Sequence, residues 1–459
     1  KGLPMKNAVE IFVERFNAAG GVRGNKIKLV VKDDFDDPDK ARVAAESLVQ
    51  DPQMLAVIGH YYPTTALGTV KVYDRAQIPC LSPNVSAPEV ISASRWMFTT
   101  NFQDDVQGSF MAIYLKEVMK KDNVVVIHTT EPFGFALRDA FVKKAAAIGL
   151  HVQRVLPVDN NDVPADWVKK NLPEAAGNNQ IGAVAALTHS ESGLLLLPQL
   201  REAGFKSVVL SPSTWTNAKF LALDDKYTND VYVTSSLLWE IANEKATLFA
   251  AEYQRRFGQP PTPAAAMAYD SILLIAEGLK ALEDPDKGRH PTRAGLRDYL
   301  GHLSWQDAVD GLSGALFFNS SGDQTQAYVD QFLESRRQEA GELPASEPPR
   351  PEPTAAAAEA AKARPAAAPP ERRAVQRDVF VSVIKDGRYK TAYTQLVVPK
   401  EEYVLKELKK RVAKGYMTII DRQPYHLVDV VFVGVDIIKI SDVNTKDMNW
   451  EADMFIWFK

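Results

Sequence analysis

Hydroxyl, aromatic and acidic side chains gather where short apolar runs of this chain end. Ile58 leads through Gly59 into His60, Tyr61, Tyr62, Pro63, Thr64 and Thr65, and Leu81 leads into Ser82, Asn84 and Ser86. Ile127 and His128 lead into Thr129, Thr130, Glu131 and Phe133. Leu187 precedes Thr188, His189, Ser190 and Glu191, and Leu210 precedes Ser213 and Trp215. Free amide hydrogens at a helix start, with hydroxyls at Thr64, Thr65 and Ser86, suit a carboxylate. Tyr61, Tyr62, Phe133, Trp215 and Trp239 suit apolar walls or a face for a cation, although each taken alone suits core packing better. The chemistry on offer is noncovalent capture of a small, partly charged molecule.

Covalent chemistry is not on offer. There is no HExxH, Walker, CxxC or GxSxG pattern, and no two of the seven histidines stand at a helical ligand spacing. Neither an enzyme nor a resident cofactor or metal is expected. Residues 20–24, Gly-Gly-Val-Arg-Gly, follow a helical pattern instead of preceding one, so they read as a helix-ending turn and not as a phosphate cradle. The acidic run from Asp33 to Asp39 could attract a divalent cation. It reads better as a cap on the helix that begins near Lys40, where carboxylates complement the positive end.

With 459 residues, the chain exceeds what one core usually organises, and two or three domains are expected. A net charge of −4 gives no electrostatic case for a nucleic-acid partner. Its one cysteine, Cys80, excludes an internal disulfide framework and reads as a small buried hydrophobe. No apolar run is long enough to span a membrane.

The elements that must position these clusters alternate. Strand candidates at 27–31, 55–58, 79–81, 124–127, 151–156, 181–186 and 207–210 are interleaved with helix candidates at 40–49, 64–75, 134–147 and 193–202. Such alternation implies parallel sheets covered on both faces, an α/β class. A break near residues 102–105 divides the series into two lobes. Ligands bind beyond the carboxyl ends of strands in open parallel sheets, which is where the polar clusters fall. Residues 243–256 and 264–282 are helical, and 312–318 return to a strand. Because the pattern opens on a helix, with Ala8, Ile11 and Phe12 on one face, an upstream strand is expected. Residues 343–372 are almost entirely Pro, Ala, Glu and Arg, and are expected to be disordered or weakly helical near 354–363. A hairpin follows, 379–384 and 389–398 joined by Asp386-Gly387, so the insert interrupts a domain. Residues 399–428 read as a charged connecting helix and linker, and 429–459 as a β-hairpin.

Several stretches resemble the type I periplasmic solute-binding proteins of the leucine/isoleucine/valine-receptor family. They are Asn17 to Gly24, Asp33 to Pro38, Ile58-Gly59-His60, Leu81-Ser82-Pro83 with Pro88-Glu89, and Phe133-Gly134. The resemblance covers residues 2 to about 336 and resumes at 378–398. It implies two α/β lobes, together spanning 1–398, that close over an amino acid. It places Thr64 and Thr65 at a helix amino terminus facing the ligand, Ser86 in the next loop and Phe133 across the cleft. That family's usual tyrosine is Phe133 here, and its ammonium-binding acid falls near Ser213, where no carboxylate stands. Either Glu191 or the aromatics then hold a cation, or the ligand is a carboxylate without an amine. The family's opening strand and first binding loop have no counterpart in the chain.

Residues 429–440 and 448–457 resemble the first two strands of the extracellular domain of pentameric ligand-gated ion channels. That implies a membrane-attached, possible homopentameric receptor whose binding domain modulates a channel in the same longer polypeptide. The alternative is an extracytoplasmic, periplasmic receptor that feeds a membrane permease.

Overall fold

The computed structural model describes residues 2–159, 162–173, 181–216, 218–304, 307–318, 373–375, 379–397, 405–420, 423–430, 433–444 and 449–458. The Pro/Ala-rich insert expected at 343–372, with its weak helix, lies outside the described residues.

Two lobes form. Lobe one is built on three parallel strands, β1 (Val57–Ile58), β2 (Cys80–Ser82) and β3 (Met97–Thr99), in the order β1-β2-β3. After the insert the chain returns along β3, where the Thr99 N–H donates to Arg373 O and the Val375 N–H donates to Thr99 O. Helices α1 (Leu3–Ala18), α2 (Pro38–Val49), α3 (Pro63–Ala76) and α4 (Pro88–Ser92) surround this sheet. Strand residues Leu81 and Phe98 share a core with Phe12 and Val13 of α1 and with Ile272, Ile275, Leu296 and Leu300 from later helices. Cys80 has no exposed surface, and burial pushes its thiol up to about 12, which fits the packing role.

Lobe two begins with α5 (Asp104–Ile113) and β4 (Asn123–Thr129). It adds α6 (Pro132–Ala147), β5 (His151–Val158), α7 (Trp167–Asn171), β6 (Ala183–Leu187), α8 (Ser190–Glu202), β7 (Val208–Ser211), α9 (Ala218–Leu221), α10 (Asp225–Thr228) and β8 (Val231–Ser235). Strands β4 to β8 are parallel. The chain then re-enters lobe one through α11 (Glu244–Phe257), α12 (Pro263–Leu282) and α13 (Arg293–His302), followed by a short hairpin of β9 (Val309–Gly311) and β10 (Gly314–Leu316). It crosses back to add antiparallel β11 (Phe380–Lys385) and β12 (Arg388–Thr391), completing a sheet of order β12-β11-β8-β7-β6-β4-β5. Val124 to Ile127 and Ala183 to Leu187 are buried throughout, as strands covered on both faces must be.

The lobes meet where the chain passes from β3 to α5. Thr100 Oγ1 lies 2.9 Å from Ser271 Oγ and donates to Met267 O at 3.0 Å, fastening the first crossing to α12. In lobe two, the Gln107 amide donates to Thr234 Oγ1 at 3.0 Å, tying α5 to the end of β8.

Several expectations change. Residues 27–31, expected as a strand, join no ladder among the described residues, and Leu29, Val30 and Val31 are exposed. A period-two apolar pattern supplies a strand, but a ladder also needs a neighbour. The segment expected as the second arm of one hairpin, 389–398, divides at Ala392 and Tyr393. Its latter half, β13 (Thr394–Val397), pairs instead with β15 (Gln423–Asp429), which also pairs with β14 (Met417–Ile420). Residues 399–428, expected to be helix and linker, thus carry the helix Leu405–Ala413 and two strands. Leu396 and Ile420 of this small sheet pack with Phe110 and Tyr114 of lobe two, and the Tyr114 hydroxyl donates to Thr394 O at 2.8 Å. Strands β16 (Val433–Asn444) and β17 (Asn449–Phe458) form an antiparallel pair in the region expected to be a hairpin.

Helices α5 and α6 approach so closely at Gly108 that a β-carbon there would lie 2.4 Å from Leu137 O. Gly108→Ala must push the helices apart. Denaturant unfolding should show a loss of about 1–3 kcal/mol, the usual range for forced overpacking.

Candidate functional site

The loop after β1 is held rigidly from below. His60 is buried, with Nδ1 2.8 Å from Asp34 Oδ2 and Nε2 3.1 Å from Tyr73 Oη and 3.2 Å from Thr69 Oγ1. The hydrogen bond from His60 holds the Asp34 carboxyl below its ordinary range. Asp37 accepts from the Asp39 and Lys40 N–H groups at 2.9 Å each and caps α2, as the sequence suggests. The acidic run therefore secures a helix start and a histidine.

Above this support, the Tyr61 and Tyr62 rings meet edge to face with centroids 4.9 Å apart, both half-buried. Thr64 is exposed in the first turn of α3, whereas Thr65 is buried and donates its hydroxyl to Tyr62 O at 2.9 Å. The Asn84 amide donates to Tyr61 O at 3.0 Å and joins the first two loops. Ser86 is half-buried, and its carbonyl accepts from the Asp104 N–H at 3.1 Å.

On lobe two, Phe133 and His189 stack, with ring centroids 4.4 Å apart and planes inclined by 21°. Glu131 holds this pair from behind. One carboxylate oxygen accepts from Thr129 Oγ1 at 2.7 Å and the Gly134 N–H at 3.0 Å and lies 3.4 Å from His189 Nε2; the other accepts from the Phe133 N–H at 2.9 Å. Burial opposes its ionisation, but the bonds from His189 and Thr129 outweigh burial and draw the Glu131 carboxyl down to about 2. This residue thus caps α6 and sets the angle of the stacked rings.

The remaining sequence-predicted residues divide. Thr188 is buried, and its carbonyl accepts from Thr214 Oγ1 at 2.9 Å and Trp215 Nε1 at 3.2 Å. Glu191 is exposed and accepts from Ser190 Oγ at 2.8 Å. Ser213 is half-buried at the start of a short 3₁₀ turn. Trp215, expected as a cleft wall, has no exposed surface. Its ring stacks on Phe220 at 4.6 Å and covers Gly193, where a β-carbon would fall 2.3 Å from the indole. The 3₁₀ turn directs this ring into the core. Trp239 is half-buried at the return crossing, 6.4 Å from the Phe249 ring.

Two residues that sequence reasoning missed connect the loops. Asp104 and Gln107 lie three apart on α5, both buried, beside the Ser86 loop. The Asp104 N–H donates to Ser86 O at 3.1 Å, and the side-chain carboxyl of Asp104 is buried. Burial first, opposed by Ser86 and reinforced by Glu89, Asp105 and Glu131, raises this carboxyl to about 8. One backbone hydrogen bond joins the Ser86 loop of lobe one to α5, while Glu131, Phe133 and His189 are joined within lobe two. The sequence signal was the spacing of Asp104 and Gln107 on one helical face, in a region that read only as the break between lobes.

The family model described as "periplasmic binding protein" matches residues 1–332. An "amino acid binding protein" of Pseudomonas aeruginosa is 31% identical over 223 residues, covering 48% of this chain and 56% of that protein. This match thus spans little more than half of the relative's length. A "leucine-, isoleucine-, valine-, threonine-, and alanine-binding protein" of the same organism is 25% identical over 303 residues, covering 65% of this chain and 79% of that protein. The fold is similar to that of an ABC transporter substrate-binding protein from Desulfitobacterium hafniense in complex with Leu. The TM-score is 0.63 and the identity 21%, covering 84% of this chain and 95% of that chain. The two-lobed α/β architecture is thus shared with that protein.

Two outcomes are expected. Between pH 4 and 8 folded Asp104 keeps a proton that an unfolded aspartate loses, so the group's contribution to stability falls as pH rises. Asp104→Asn should therefore gain on the wild type by up to about 1.4 kcal/mol per pH unit across pH 5–7, read by urea unfolding at each pH. Trp215→Ala should cost about 3–5 kcal/mol of stability, as core truncation does, in the same assay.

Proposed function

Because the chain belongs to the periplasmic binding protein family, we propose that it captures a small amino acid, or a closely related carboxylate or amine, outside the cytoplasm and delivers it to a membrane permease of the ABC type. The observation that carries this reading is the set of polar and aromatic side chains at the strand ends of both lobes. The first turn of α3, with Thr64 exposed, offers amide hydrogens and helix polarity to a carboxylate. The stacked Phe133 and His189 offer an apolar face to a side chain. Closure over the ligand then shifts an open and closed population. The names of the relatives, binders of amino acids, support the ligand class.

The delivery partner rests on the same comparisons, which favour a permease over the ion channel expected from the last residues. The hairpin of β16 and β17 is present, but two antiparallel strands are compatible with many folds. No finding supports a pentamer or coupling to a channel.

Isothermal titration with leucine, isoleucine, valine, alanine and phenylalanine should reveal at least one ligand. Phe133→Ala should weaken the best of them about tenfold, corresponding to about 1.4 kcal/mol. Heatless titrations across the whole panel, in a protein shown to be folded, would refute the reading.

A further inference from the structure

We propose that Glu240 is a latch between the lobes, a carboxylate rooted in lobe one that grips the outer strand of lobe two and holds the pair at the angle seen in the structure. The inference concerns the hinge that the solute-binding reading requires, and it is independent of which ligand the cleft takes.

The return crossing, residues 236–243, is pinned at both ends. At the end of β8, Ser235 Oγ donates to Leu237 O at 2.7 Å and accepts from the Leu237 N–H at 3.3 Å. At the start of α11, Asn243 Oδ1 accepts from the Ala246 N–H at 2.9 Å, and its amide donates to Gly311 O at 2.8 Å. Between these pins, Leu237 is buried in a lobe-one core with Phe249 and Tyr253, and Trp239 and Ala242 pack on the same cluster. The backbone of the turn is therefore rooted in lobe one. Its one acid reaches the other lobe: Glu240 Oε2 accepts from both the Thr391 N–H and Thr391 Oγ1, each at 2.8 Å. Thr391 ends β12, the edge of the large sheet, and pairs with Ser382 of β11. An edge strand leaves outward N–H groups without a ladder partner, and the carboxylate supplies one. The next residue, Ala392, is buried in the lobe-two core with Phe110 and Tyr114, so Thr391 moves with that lobe. Bonds to an ionised acceptor are the stronger kind, and two donors on one oxygen tolerate little turning. The hydroxyl of Thr100 on the first crossing bonds only within lobe one, and the Gln107 amide only within lobe two. Rotation of lobe against lobe leaves those bonds alone, but it turns the Trp239 anchor relative to Thr391. Loss of the carboxylate should therefore widen the range of lobe angles.

The test reads that range without ligand. Dyes on Ser47→Cys of α2 and Lys143→Cys of α6, both exposed positions, report the inter-lobe distance in the full chain by single-molecule energy transfer. Cys80 is buried and stays unlabelled. Glu240→Ala should raise the fraction of molecules outside the wild-type distance band about threefold, the scale of an exposed charge-assisted pair. Thr391→Val keeps the N–H donor and loses the hydroxyl, and should give a smaller change in the same direction. Glu244→Ala removes a neighbouring exposed acid of lobe one and should match the wild type. An unchanged distribution in folded Glu240→Ala overturns the latch, and so does an equal change in Glu244→Ala. Either result leaves the solute-binding reading standing, because that reading falls on the amino-acid titrations and not on the lobe angle.

Discussion

A strand buried on both faces can place polar side chains in contact with a ligand only at its ends. In this protein the constraint is severe. Strands β4 and β6 are apolar and buried almost from end to end, and hydroxyls, carboxylates and histidines gather beyond them. Burying these groups mid-strand would leave polar atoms with no partner. The carboxyl ends in both lobes therefore become the polar ground, and the site follows from the topology before any residue is chosen.

What distinguishes this chain is how firmly most of that ground is already bonded. His60 is held from three sides, Thr65 closes its own helix turn, Glu131 caps α6, and Thr188 receives an indole and a hydroxyl. These groups shape the cleft without being free to bind. Asp104 and Gln107 are the contrasting case, polar groups moved out of water with one oxygen left unpartnered on each. A fold tolerates such unsatisfied atoms where function needs them and offsets their cost elsewhere.

The alternation of apolar strands with amphipathic helices was legible because each parallel strand reads as an unbroken hydrophobic run. Val124 to Ile127 and Ala183 to Leu187 need no context to be recognised. β3 was missed because three residues between turns carry too little pattern, and β14 and β15 because their pairing depends on β13, far away in sequence. In the site, the loops at Tyr61, Ser86 and Phe133 were visible from their position after strands. Trp215 was misplaced because side-chain direction depends on the local turn, and Gly193 makes room for the ring in a helix the loop sequence does not mention. Asp104 was invisible for the complementary reason. An acid after Gln103 reads as solvated linker until α5 is packed and its carboxyl is found buried.

The small sheet of β13, β15 and β14 is fastened to lobe two through Tyr114, Phe110, Leu396 and Ile420. Any rotation of that lobe about the crossing held by Thr100 and Ser271 must carry the sheet with it. The sheet thus behaves as a pointer on a dial, its displacement against the opposite half reporting how far the jaws have shut.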